Sequence, residues 1–98
     1  MYRPLPDFLT IKESKIHGLG LYALSNIKKN YILGITHIKD SRFENGYIRT
    51  PLGGFFNHSE NPNCKVESIG DYLLLISLTE ISSGSEITAK YTLYNPSV

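Results

Sequence analysis

Three short stretches of this 98-residue chain carry groups that could do chemistry. The stretch IHGLGLYAL (16–24) sets two glycines between a polar and an apolar segment, where bare backbone can approach a ligand closely. The stretch FFNHSENPN (55–63) places a carboxamide and an imidazole directly after two aromatic residues. The amide donor and acceptor of Asn57, with the ring and main-chain groups of His58, could read the edge of a heterocycle such as adenine. The stretch SSGSEITAKYTLY (82–94) leads from a turn into a strand carrying Tyr91 and Tyr94. Each has a plainer reading as well. The glycines also suit a tight turn, and no third glycine opens a helix as in a dinucleotide fingerprint. Asn57, Ser59 and Pro62-Asn63 suit a polar turn, and the tyrosines suit an aromatic core.

The elements that must position these groups read as strands. DFLTIKES (7–14) alternates roughly, LGLYAL (19–24) is short and apolar, and YILGITHI (31–38) is rich in β-branched residues. CKVESI (64–69) alternates, YLLLISLTE (72–80) is a long apolar run suited to burial on both faces, and EITAKYTLY (86–94) closes the series. Turn signals separate them at Gly18 and Gly20, Lys29-Asn30, Asn45-Gly46, Gly53-Gly54, Gly70-Asp71 and Ser82-Ser83-Gly84. No amphipathic helix of ten or more residues is expected, so the fold class is mostly β.

The length suits one domain. No apolar run reaches the ~20 residues that span a bilayer, and MYRPLPDF lacks the apolar stretch of a signal peptide. The expectation is an intracellular protein without membrane contact. Cys64 is the sole cysteine, which excludes an internal disulfide and fits a reducing compartment. With three scattered histidines it also argues against a four-ligand structural zinc site, so no metal is expected. A net charge of +1 gives no strong nucleic-acid footprint. Residues 1–49 nevertheless carry +4 and residues 50–98 carry −3. The acidic half could attract a basic partner, or the halves could fold together and the asymmetry vanish.

In order and spacing, the GxG turn, Asn-His-Ser-x-x-Pro-Asn and Gly-x-Glu-Ile-Thr-x-x-Tyr resemble the SET-domain protein lysine methyltransferases. The resemblance covers about residues 9 to 94, and the whole chain, 1–98, looks like the minimal SET proteins of viruses, phages and bacteria, without pre-SET or post-SET modules. It implies several small curved β-sheets with a C-terminal pseudoknot. It implies S-adenosylmethionine as cofactor, cradled by Gly18, Leu19 and Gly20 and held by Asn57 and His58. Tyr91 matches the tyrosine at the end of the lysine channel, and Tyr22, Phe56 and Tyr94 are expected along that channel. Phe55 and Phe56 would anchor the segment in the core while Asn57 and His58 face the cofactor. The implied partner is a lysine-bearing protein, a histone or another basic protein among the candidates. The implied setting is the cytoplasm of a bacterium or infected host, or a eukaryotic nucleus.

The chain also departs from the family pattern. Glu60 stands where many nuclear members carry a cysteine that helps a post-SET zinc cluster close the channel. The Glu-Tyr-x-Gly-Glu stretch is replaced by GITHI (34–38), an Arg before the Phe pair by Gly54, and the substrate-reading insert is cut to about KDSRFENGYIRTPLG (39–53). The channel must close another way, and a homodimer built on an exposed edge of the YILGITHI strand is expected. Two other readings stand beside the enzyme: a SET-like module that binds cofactor or peptide without turnover, and an unrelated small β-barrel that binds oligonucleotides.

Overall fold

Alternation along short apolar segments produces eight strands and one helical turn in the computed structural model, which describes residues 5–43 and 46–90. The strands are β1 (Leu9–Glu13), β2 (Leu19–Ala23), β3 (Ile32–Lys39), β4 (Tyr47–Arg49), β5 (Asn57–His58), β6 (Cys64–Ile69), β7 (Tyr72–Ser77) and β8 (Glu86–Ala89); α1 spans Pro51–Phe55. The fold is mostly β, as the sequence pattern requires. The strand order is β1-β2-β8-β6-β7-β3-β4, with β5 paired to β8 off this path.

Period-two patterning explains the faces. On β2, Leu21 and Ala23 are buried and Tyr22 lies on the opposite side. On β8, Ile87 and Ala89 are buried beside the half-buried Glu86. These side chains join Leu9, Ile27, Leu33, Leu52, Phe56, Cys64, Leu75 and Ile81 in one core cluster. Each buried Leu, Ile or Phe side chain among them contributes about 1.5–3 kcal/mol over an exposed one. The run at 72–77 is buried between two neighbours: β7 pairs antiparallel with β6 through the Gly70-Asp71 turn and with β3 on its other side.

The order interleaves the two halves of the chain, because β8 lies beside β2 and β7 beside β3. Strands from the +4 and −3 segments therefore mix within one sheet.

Gly53-Gly54, expected to form a turn, lies inside α1. Thr50 caps this helix, its Oγ1 accepting from the Gly53 N–H at 3.3 Å, and Pro51 opens it. Gly53 has no room for a β-carbon, which would overlap the Thr36 carbonyl, so glycine is required there for close packing rather than for a turn. The YILGITHI strand, expected to offer an exposed edge, is covered on both edges in its second half only, and Ile32 and Ile35 in its first half stay exposed. Residues 37–39 of β3 pair with β4 on one side, and His37 and Ile38 pair with β7 on the other. The Thr36 carbonyl accepts from the Thr50 N–H at 2.9 Å. The expected pseudoknot segment, with Tyr91 and Tyr94, lies outside the described residues.

Candidate functional site

Three distant sequence motifs meet where β2, β8 and β5 adjoin. β2 pairs antiparallel with β8 through Leu21–Ile87 and Tyr22–Glu86. β5 pairs parallel with β8 through Asn57–Thr88 and His58–Ala89, and the Ser59 N–H extends the ladder to the Ala89 carbonyl at 3.1 Å. The GxG turn, the Asn-His pair and the Glu-Ile-Thr strand are thereby neighbours.

Within the β1–β2 turn, the Ser14 N–H donates to the Gly18 carbonyl at 2.7 Å. Gly18 has φ +48° and open space around its α-carbon, so conformation selects glycine there. Gly20 is a different case. A β-carbon on it would overlap the Glu86 carboxylate, so its missing side chain makes room for an acidic group of the protein. Leu19, between them, is exposed, as is Ile16.

Glu86 gathers hydroxyl and amide donors. Ser14 Oγ donates to its carboxylate at 2.8–2.9 Å, Tyr22 OH lies 3.3 Å from Oε1, and Asn57 Nδ2 donates to Oε2 at 2.8 Å. Asn57 Nδ2 also lies 3.0 Å from Ser14 Oγ, 3.2 Å from the His17 carbonyl and 3.3 Å from the Leu19 carbonyl. The N–H side of the amide is thus engaged inside the protein. Its Oδ1 accepts no hydrogen bond from the described residues, so Asn57 offers a ligand an acceptor. Desolvation, and then the negative Glu86, raise the Tyr22 hydroxyl above the usual phenol pKa.

His58 is half-buried, with Nε2 3.1 Å from Glu60 Oε1. The other oxygen of Glu60 meets Lys90 Nζ at 3.1 Å. The His58 hydrogen bond first, then Lys90, holds the Glu60 carboxyl below the ordinary carboxylate range. Glu60 therefore ties β5 to the residue that precedes Tyr91. Both ion pairs are exposed and contribute little to stability.

The expected channel residues divide. Tyr22 stands in the polar cluster, its hydroxyl also 3.1 Å from the Glu13 carbonyl. Phe56, expected along the channel, is 4% exposed and packs in the core cluster, with Phe55 packed against it. The anchoring role of the Phe pair holds; a channel wall at Phe56 does not follow from this packing. Cys64 is fully buried and its thiol is pushed up to about 12 by desolvation, which removes it as a nucleophile.

Sequence reasoning passed over three residues that organise this region: Ser14, Glu86 and Asn63. Asn63 Nδ2 donates to the Glu86 carbonyl at 2.8 Å, and its Oδ1 accepts from the Thr88 N–H at 2.9 Å. One side chain thus satisfies two main-chain groups of β8. The signal for Glu86 was present, since it lies in the motif read for its tyrosine.

The SET-domain family model matches residues 34–92, a span that includes Asn57, His58 and Glu86 and leaves the GxG turn outside it. The chain is similar to the crystal structure of a Plasmodium falciparum candidate histone methyltransferase, with a TM-score of 0.70 and 26% identity, covering 90% of this chain and 96% of that one. It is similar to the methyltransferase domain of human PR domain-containing protein 2, with a TM-score of 0.72 and 18% identity, covering 96% and 84% respectively. The second likeness is one of fold. No curated protein sequence matches the chain.

Proposed function

The chain belongs to the SET-domain family, and from that premise we propose that it is an S-adenosylmethionine-dependent protein lysine N-methyltransferase. The observation that carries the reading is the junction of β2, β5 and β8, which joins the GxG turn and Asn57-His58 around a half-buried carboxylate. The residues present suit a cationic cofactor with an aromatic base. Asn57 offers a carbonyl oxygen on the side away from its engaged N–H groups, and Ile16 and Leu19 offer exposed apolar surface.

When bound, S-adenosylmethionine supplies a methyl group activated by its sulfonium. The protein's part is positioning. Gly18, Leu19 and Gly20 would lie along the cofactor, Asn57 and His58 would fix its ends, and Tyr91 would orient the incoming amine. That amine must be neutral to attack, and its ordinary pKa is about 10.4. An apolar channel beside a positive charge lowers it. The substrate is a lysine-bearing protein, in keeping with the similarity to the candidate histone methyltransferase of Plasmodium falciparum.

Incubation with methyl-labelled cofactor and lysine-bearing proteins, followed by mass spectrometry, tests the reading. Label on lysine side chains is expected; cofactor binding without transfer would leave a binding module. Tyr91→Phe should keep cofactor affinity within a few-fold while turnover falls about 10²-fold, or ~2.7 kcal/mol of transition-state stabilisation. Tyr94→Phe should be better tolerated. Transfer unaffected by either change would make both tyrosines packing residues.

A further inference from the structure

We infer that Glu86 is a positioning residue: with Ser14 it locks the Asn57 carboxamide in one orientation, N–H side inward and carbonyl side outward to the ligand. The inference rests on Asn57 being a cofactor contact. A primary amide can flip about its terminal bond, and the two orientations present opposite chemistry. Here only one is compatible with the surroundings. The groups around Nδ2 are a carboxylate oxygen, two main-chain carbonyls and the Ser14 hydroxyl. Turning Oδ1 toward them would set it against three obligate acceptors.

Glu86 is the strongest of these, being charged and nearest at 2.8 Å. The hydroxyl of Ser14 has one proton, which goes to Glu86, and its lone pairs take the Ile16 N–H at 2.9 Å and Asn57 at 3.0 Å. The same serine therefore shapes the GxG turn and braces the amide. Register places the carboxylate: Tyr22 faces Glu86 across β2 and β8, and Gly20 leaves the space beside it. No Lys, Arg or His pairs with Glu86 among the described residues, so its charge is directed to neutral donors.

Glu86→Gln keeps the shape and removes the charge. It also brings a donor amide among donors. Two readouts follow. In ligand-free protein, the side-chain NH₂ signals of Asn57 should be well separated and slow to exchange with water in the wild type. In Glu86→Gln they should move toward those of an exposed asparagine. In calorimetric titration with S-adenosylmethionine, Glu86→Gln should weaken binding about tenfold, but less than about twofold when made in an Asn57→Ala background, the non-additivity expected of one network.

An equal loss in both backgrounds would show that Glu86 acts without Asn57 and would overturn the inference. Unchanged amide signals would overturn it too. Absence of cofactor binding by the wild type would instead defeat the functional reading, with the amide signals still deciding whether Glu86 holds Asn57. Should Glu86→Gln fail to fold, Ser14→Ala carries the same two readouts: smaller changes of the same kind support the brace, and none refutes it.

Discussion

Along β7, Leu73, Leu75 and Ile76 are buried between β3 and β6, whereas along β8 the half-buried Glu86 gathers Ser14, Tyr22 and Asn57. The β3–β7–β6 region is held by apolar area removed from water and by ladder hydrogen bonds. The β2–β8–β5 junction rests its inner face on Leu21, Ile87 and Ala89 and its other side on a polar network. Apolar burial tolerates imprecise partners, because it scales with area. A part-buried polar network tolerates less, because a donor or acceptor left unpaired away from water carries a desolvation cost. The scaffold therefore depends on apolar volume, and the junction on particular polar groups.

Removing apolar volume should have the largest effect on stability. Leu75 is fully buried, and Leu75→Ala should cost about 2–5 kcal/mol in chemical denaturation. A loss below about 1 kcal/mol would show that this sheet is not the principal core, against the range expected for such truncations. Asn63→Ala comes next. It leaves the Glu86 carbonyl and the Thr88 N–H without their side-chain partner, and it should cost about 1–3 kcal/mol. If Asn63→Ala is neutral, water replaces the side chain and the clamp on β8 is dispensable.

A smaller effect separates the regions by pH. His37, on β3, is 3% exposed and bonds Thr36 Oγ1 through Nδ1 at 2.9 Å. Burial first, then the charge of Arg49, lower its pKa from the ordinary 6.5. The unfolded chain thus binds the proton more readily than the folded one. This contribution to stability is complete above the ordinary value and is lost as pH falls from there through the folded value. Melting curves between about pH 5 and 7.5 should show that loss, and His37→Gln should flatten it. An unchanged slope in the variant would assign the pH dependence to other groups.

The same contrast explains what the sequence could tell. Apolar patterning located β1, β2, β3, β6 and β7 to within a few residues, and the start of β8, because burial leaves a trace in the sequence. The Asn57-His58 strand is two residues long and has no period to read. α1 was hidden by Gly53-Gly54, although Thr50-Pro51 carried a cap and a helix start. The polar junction was the least legible part. Ser14 and Glu86 are 72 residues apart, and Asn57 and Glu86 are 29 apart. A hydrogen bond of that span imposes no local pattern. Asn57 and His58 were singled out by their types, but what Asn57 presents to a ligand is set by Glu86, which only the fold brings to it.

The most direct test of the account is calorimetric titration of the protein and of Asn57→Ala with S-adenosylmethionine, each melted in parallel. The account predicts that the wild type binds without added metal. It predicts that Asn57→Ala loses at least about tenfold in affinity, as for a hydrogen bond to a charged group at ~1.5–3 kcal/mol, while remaining folded at the titration temperature. A folded wild type that does not bind, or an Asn57→Ala variant whose folded fraction binds as well as the wild type, would contradict it.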